Sequence, residues 1–151
     1  MTRRECQSAT LSRMSTTTHE HFQSFGAGFL PGHLGVEIVT VSAELVESRL
    51  AVNRQVMAPN GYLHAASIVA LADTSAGYGC IAALPKGASG FTTIELKANF
   101  LGTAREGTIF CRTVPLHLGR TTQIWDATVT VEASGAKIAA FRCTQMVLWP
   151  K

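Results

Sequence analysis

Charged residues are scarce in this chain of 151 residues, since Asp, Glu, Lys and Arg together make up only 15%. Apolar residues make up 46%, which excludes a disordered or highly solvated protein. A polar surface this thin predicts that other subunits cover some apolar faces. The formal net charge is only +3, and no basic run with interleaved aromatic residues is present. Nucleic-acid binding is therefore not expected.

Cysteine is also sparse, and the four residues stand far apart: Cys6, Cys80, Cys111 and Cys143. No C-x-x-C pair occurs, so the spacing predicts neither a zinc site nor a small disulfide scaffold. Widely spaced cysteines are typical of proteins in a reducing compartment, and we expect a cytoplasmic protein without a bound metal. Apolar runs such as Ile68 to Ala72 are far too short to cross a membrane, so no membrane attachment is expected.

The first twenty residues are rich in Ser and Thr and carry Arg3, Arg4 and Arg13. A transit peptide has this composition, but so does a disordered tail or an extension upstream of a start at Met14. We interpret residues 1–18 as a dispensable disordered tail and residues 19–151 as a single domain.

Alternating apolar positions predict strands on both sides of one central segment. The predicted strand regions are Leu34 to Asn53, Phe91 to Leu101, Thr108 to Leu118, Thr121 to Glu132 and Lys137 to Trp149. The first of these regions is either a strand pair or one bent strand. Strands that flank a single helix indicate an antiparallel sheet curled around it, which is an α+β architecture. Such a sheet has a free edge that a second copy could extend.

The central segment, Leu63 to Leu84, is rich in Ala and ends before Pro85. It predicts a helix that is apolar on nearly every face, and such a helix is buried on nearly every face. Two smaller features precede it. The sequence predicts a short helix over His19 to Phe25 and a turn at Leu30 to Gly32.

Asp73 is the one charged residue between His64 and Leu84. Its helical neighbours carry no counter-charge, and a buried ionised carboxylate is costly unless a partner or a function compensates. One interpretation is a structural Asp at a helix irregularity or paired with a distant Arg. The other is a catalytic carboxylate, with space beside it for a substrate.

His64 stands where the preceding loop becomes the helix. The N–H groups of the first turn, at Ala65 and Ala66, point out of the helix start and predict a site for a developing oxyanion. A single His beside a loop is more often structural than catalytic. The combination of this helix start with a lone carboxylate nine residues after His64 favours a catalytic site.

These residues resemble the motif of the hotdog-fold thioesterases, in the group of the phenylacetic-acid-pathway protein PaaI and the 4-hydroxybenzoyl-CoA thioesterases. The family pattern is roughly G-x-x-H-G-G followed by L-A-[DE]-T. Here Gly61-Tyr62-Leu63-His64-Ala65-Ala66 and Leu71-Ala72-Asp73-Thr74 stand at the family's spacing. Thr92 to Leu101 is similar to the family's central strand, and Leu118 to Thr121 to its next hairpin. The likeness covers about residues 33 to 149.

The resemblance implies a hotdog fold and an acyl-CoA thioesterase for an aryl- or medium-chain acyl group, without a cofactor. Asp73 would attack the thioester or activate a water, and the N–H of Ala65 would polarise the carbonyl. His64 would hold the loop, and Thr93, from a second subunit, would place the water or acyl group. The candidates for binding CoA are Gly61, Arg105, Arg120 and Thr121. The family also implies a homo-oligomer, a tetramer built as a dimer of dimers.

Two positions depart from the family pattern. The Gly pair is Ala65-Ala66 here, which keeps the N–H groups but narrows the approach to them. The family often has an amide side chain where this chain has Ala58, and Asn60 is the candidate replacement. Two other functions are weighed against hydrolysis: a hotdog hydratase or dehydratase, and a non-catalytic module that binds acyl-CoA.

Overall fold

A computed structural model describes residues 19–151, so the predicted tail of residues 1–18 lies outside the described residues. The strands are β1 (Glu37–Val41), β2 (Val46–Ala51), β3 (Gly90–Phe100), β4 (Thr108–Leu118), β5 (Thr122–Val131) and β6 (Lys137–Leu148). They form one sheet in the order β1-β2-β4-β5-β6-β3, with every neighbouring pair antiparallel. The helices are α1 (19–25), α2 (Leu30–Leu34) and α3 (Ala65–Ala82). Because α3 contacts all six strands, the predicted α+β arrangement of a sheet around one long helix is confirmed.

The long helix α3 ends before Pro85, as the sequence predicts, and the side turned to the sheet is fully buried at Leu71, Ala72 and Ala76. By length and composition alone, α3 is also long and apolar enough to cross a membrane. The core helix of a domain meets the same criteria, and 56% of α3 is buried inside this one. Its apolar surface therefore serves packing against the sheet.

Two glycines on α3 let the sheet approach the helix closely. A Cβ atom added at Gly79 would lie 2.6 Å from the ring of Trp125, which is fully buried, and 3.1 Å from Val46. A Cβ at Gly77 would lie 3.0 Å from the ring of Phe91. Glycine weakens a helix interior by about 1 kcal/mol relative to Ala. Here close packing of the sheet offsets that cost.

Gly79→Ala is expected to lower the melting temperature. The added methyl group would force Trp125 to move, and overpacking of a core typically costs about 1–3 kcal/mol. The higher helix propensity of Ala stabilises the helix by less than this. Thermal unfolding of Gly79→Ala and Gly90→Ala tests this, because a methyl group at Gly90 would meet no atom within 4 Å. Equal melting temperatures for the two variants would contradict the close approach.

The segment before β1 covers one edge of the sheet. As predicted, residues 19–25 are helical, and the Gln23 side chain acts as a partner for β1. Its Nε2 donates to the Val36 carbonyl at 3.1 Å, and its Oε1 accepts from the Ile38 N–H at 2.8 Å. The predicted turn at Leu30 to Gly32 is wrong, because these residues begin α2. Pro31 is tolerated there because the first turn of a helix needs no donor from its N–H.

The other edge of the sheet is β3. Within the described residues β3 pairs only with β6, which leaves the second side of an eleven-residue strand open. Three large apolar side chains on this strand are exposed, namely Ile94, Leu96 and Phe100. The free edge that the sequence predicts is therefore long and partly apolar, the kind of edge that proteins usually cover.

Candidate active site

Asp73 lies in the middle of α3, on the side that the sheet leaves partly open. Its neighbours Val69 and Thr74 are also only half-buried. None of the ion pairs formed among residues 19–151 includes Asp73, which argues against a structural pair with a distant Arg. The half-buried carboxylate is therefore accessible from one side and has no charged partner in the described part of its own chain.

Burial raises the pKa of Asp73 above its ordinary value, because removal from water disfavours the ionised carboxylate. A hydrogen bond donated by Thr93, whose Oγ1 lies 3.4 Å from Asp73 Oδ1, would lower this pKa by a smaller amount. The ionised side chain is thus a stronger base than an exposed Asp. A perturbed carboxylate on an open face is a common feature of catalytic sites.

Thr93 reaches Asp73 from the same chain, because β3 lies over α3. The expectation that a second subunit supplies Thr93 is therefore wrong. The physical reason is the position of β3, which returns along the edge of the sheet after the helix and turns its inward side chains toward the open side of α3. Thr93 and Asp73 form one unit within each chain.

The helix start is closed by His64. The ring Nδ1 of His64 accepts from the Ala66 N–H at 3.0 Å, and the backbone N–H of His64 donates to the Val56 carbonyl at 3.1 Å. Of the two N–H groups expected to be free, only that of Ala65 has no hydrogen-bond partner among residues 19–151. The N–H of Ala65 is thus the candidate oxyanion donor, and His64 anchors the loop.

The helix start and the carboxylate of one chain are too far apart to act on one carbonyl group. Eight residues separate Ala65 from Asp73, which corresponds to about 12 Å along the axis at 1.5 Å per residue. The free N–H also points out of the helix start, away from Asp73. The expectation that the Ala65 N–H and Asp73 act on the same carbonyl stays a prediction. It requires the two groups to come from different chains, since a reacting group must lie about 3 Å from each.

The loop before α3 is held by its own polar groups. Gly61 has a φ of +84°, a conformation that favours glycine, and its N–H donates to the Ala58 carbonyl at 3.0 Å. Asn60 is exposed, and its side-chain oxygen accepts from the Tyr62 N–H at 3.2 Å. The structure thus shows Asn60 closing the loop. Its predicted role as the replacement for the family amide stays a prediction.

The candidate residues for CoA lie at opposite ends of α3. The Arg105 guanidinium stacks over the Tyr62 ring at 4.7 Å, near the helix start. The Arg120 guanidinium stacks over Trp149 at 4.5 Å, and the Trp149 ring lies against Gly87, beyond the helix end. Thr121, exposed, follows Arg120. An 18-residue helix is about 27 Å long, so a single chain does not bring these two clusters together.

One polar residue beside the site was missed by reasoning from sequence. Gln145 on β6 is fully buried, and its Oε1 accepts from the Thr93 hydroxyl at 2.8 Å. A signal was present, because Phe141, Cys143 and Val147 share the inner face with it. A glutamine in a row of inward-facing apolar residues breaks the period-two pattern.

Among residues 19–151, no group of three or more His, Cys, Asp or Glu side chains could hold a metal ion.

Comparisons with known proteins bear on the family and the fold of the chain. Residues 60–136 match the family model of the thioesterase superfamily. The chain is 31% identical over 111 residues to 1,4-dihydroxy-2-naphthoyl-CoA hydrolase from Listeria monocytogenes, covering 74% of this chain and 89% of that protein. The enzyme of the same name from Escherichia coli is 29% identical over 134 residues, which cover 87% of this chain and 95% of that enzyme. The crystal structure of thioesterase HI1161 from Haemophilus influenzae superimposes with a TM-score of 0.80 at 28% identity. The match covers 86% of this chain and 90% of that one.

Proposed function

The chain belongs to the thioesterase superfamily and has its hotdog fold, and from that premise we propose that it hydrolyses an aryl- or medium-chain acyl-CoA to the free acid and CoA. The observation that carries the proposal is the half-buried Asp73 carboxylate, without a charged partner, on the open side of α3. Thioesterases among its relatives and structural neighbours favour hydrolysis over a hydratase and over a binding module.

Two routes fit this carboxylate. As a general base, Asp73 takes a proton from a water whose oxygen adds to the thioester carbon. The C–S bond then breaks, and the departing thiolate of CoA takes up the proton. As a nucleophile, Asp73 adds to the same carbon and expels the thiolate, and water hydrolyses the resulting anhydride. In both routes an N–H at a helix start stabilises the oxyanion, so the proposal requires no resident cofactor.

We infer that the working unit is at least a dimer and that two dimers form a tetramer. The Ala65 N–H is about 12 Å from Asp73 along one helix, so a complete site needs the helix start of a second copy. The open edge of β3 and its exposed Ile94, Leu96 and Phe100 give a second copy a surface to extend. The same pairing could unite Arg105 of one chain with Arg120 and Thr121 of the other around CoA.

The proposed substrate class rests on two relatives and on one aromatic ring beside Asp73. Two relatives are named as hydrolases of 1,4-dihydroxy-2-naphthoyl-CoA, an aryl thioester. In this chain the Phe91 ring lies against Gly77, one helical turn after Asp73, where it could contact an acyl group. The three described cysteines, Cys80, Cys111 and Cys143, are free and buried, which supports the proposed cytoplasmic location.

A panel of acyl-CoA substrates tests the proposed activity. We expect kcat/KM for benzoyl-CoA and octanoyl-CoA to exceed that for acetyl-CoA by roughly tenfold or more, since a larger apolar acyl group gains binding energy in the transition state. Release of the CoA thiol is measured with a colorimetric thiol reagent. Water addition to an enoyl-CoA without thiol release would indicate a hydratase, and saturable binding without turnover would indicate a binding module.

A further inference from the structure

A row of polar side chains crosses the inner face of the sheet beside Asp73. Thr93, Gln145 and Gln123 lie directly opposite one another on β3, β6 and β5. Both glutamines are fully buried. The Gln123 side chain donates to the Ala83 carbonyl at the end of α3 and accepts from Trp125 Nε1, each at 3.0 Å. Gln145 instead bonds Thr93, so the two similar residues have different partners.

The Thr93 hydroxyl has one proton and two acceptors within reach. Its Oγ1 is 2.8 Å from Gln145 Oε1 and 3.4 Å from Asp73 Oδ1. The first distance is typical of an O–H···O hydrogen bond, and the second lies beyond the usual range. The proton therefore points toward Gln145, and a lone pair of Thr93 Oγ1 faces the carboxylate side.

The orientation of the Gln145 amide is held from its other end. Its Nε2 lies 3.3 Å from Cys143 Sγ, to which it donates. With the nitrogen turned to Cys143, the amide oxygen must face Thr93, and an amide oxygen can only accept. A carboxylate is a stronger acceptor than an amide. Without Gln145, the Thr93 hydroxyl would accordingly turn toward Asp73.

We propose that Gln145 is a positioning residue that keeps the Thr93 proton turned away from Asp73, so that Thr93 offers an acceptor on the catalytic side. The inference rests on the proposed catalytic role of Asp73. A water at the site then donates one proton to Asp73 and the other to Thr93 Oγ1, which leaves its lone pair free for the thioester carbon. On the nucleophilic route, the same arrangement leaves the carboxylate oxygen free of a hydrogen bond that would weaken its attack.

The titratable groups around Asp73 do not supply an alternative partner. From β6, Cys143 faces the carboxylate; burial, with the charge of Asp73 as a smaller cause, raises the pKa of Cys143 to about 12. The same thiol is influenced by Cys80 on α3 and Glu95 on β3, and burial raises the pKa of Cys80 to about 12 as well. Both thiols are neutral at pH 7. Among residues 19–151, the long 3.4 Å approach of Thr93 Oγ1 is thus the contact whose orientation matters for the Asp73 carboxylate.

Gln145→Met tests the proposal, because Met has a similar length but offers no amide oxygen. The Thr93 hydroxyl then turns to Asp73 and favours its ionised form, so the acid limb of the kcat/KM profile moves to lower pH by about one pH unit. We expect kcat to fall by roughly tenfold with KM little changed. Gln123→Met is the matched control: it loses an equally buried amide that does not bond Thr93, and its acid limb stays at the wild-type position.

A second measurement does not depend on activity or on the folding of Gln145→Met. The pKa of the Asp73 carboxyl is followed by NMR with 13C-labelled Asp, assigned by its absence in Asp73→Asn. Thr93→Val leaves the pKa nearly unchanged if the hydroxyl points to Gln145, and raises it by about one pH unit if the hydroxyl donates to Asp73. The second result overturns the proposal, as does an unshifted acid limb in folded Gln145→Met. If Asp73→Asn kept its activity, the proposed function would fail, while this titration would still decide the orientation of Thr93.

Discussion

Asp73→Asn is expected to lower kcat by roughly a hundredfold or more. Asparagine keeps the shape of the side chain but can neither accept a proton at neutral pH nor attack a thioester. Thr93 and the Ala65 N–H would remain in this variant, but neither can replace the reacting carboxylate. Steady-state thiol release, with the acyl-CoA that gives the highest kcat/KM, measures the loss.

The same substitution is not expected to destabilise the fold. Burial raises the pKa of Asp73, so between its unfolded and folded pKa values the native state binds more protons than the unfolded state. Stability from this group is therefore fully present below the unfolded pKa and falls as pH rises through the folded pKa. At neutral pH the ionised carboxylate is a cost that Asn lacks. The melting temperature of Asp73→Asn at pH 7 should equal or exceed that of the wild type.

Asp126→Asn provides the matched control. Asp126 is also an Asp on a regular element, but it forms an exposed ion pair with Arg142 on the outer face of the sheet. Surface pairs of this kind contribute little to stability, and kcat should stay within about twofold of the wild type. Near-normal hydrolysis by folded Asp73→Asn would show that another group carries the reaction.

The fold could be predicted from sequence because its pattern is repeated along the chain. Alternating apolar positions define β3 to β6, and the Ala-rich segment that lacks charge apart from Asp73 defines α3. The prediction of a turn at Leu30 to Gly32 was wrong because Pro and Gly are typical of turns and also of the ends of a short helix. The choice between those two depends on packing against α3, which a local pattern does not contain.

Part of the candidate site was equally visible. Asp73 stands out as a lone charge in an apolar helix, and His64 as a capping residue at its start. Which groups meet could not be read from the sequence, because contacts such as Thr93 with Asp73 depend on how β3 returns over the helix. The separation of Ala65 from Asp73 follows from helix geometry alone. The proposed site shared between chains follows from that separation.

Ala65→Pro is expected to lower kcat by roughly a hundredfold while leaving α3 intact. Proline removes the N–H that would stabilise the oxyanion, and loss of one such donor costs about 10²–10³ in kcat. Ala65 is the first helical residue, where Pro is well tolerated. His64 already has φ −67° and ψ 132°, the extended conformation that a residue before Pro adopts. Ala65→Gly retains the N–H and should retain most of the activity.

Mixing the two inactive variants tests whether the site is shared. When Asp73→Asn and Ala65→Pro chains are co-expressed, a hybrid dimer has one site with an intact Asp73 from one chain and an intact Ala65 N–H from the other. Random pairing should restore about one quarter of wild-type activity, and purified hybrids about one half. Asp73→Asn mixed with Thr93→Val should recover much less, because both changes fall on the unit formed within one chain. Light scattering should give the mass of two or four chains. An active monomer, or hybrids as inactive as their parents, would contradict the shared site and would indicate that the oxyanion donor lies in the same chain as Asp73.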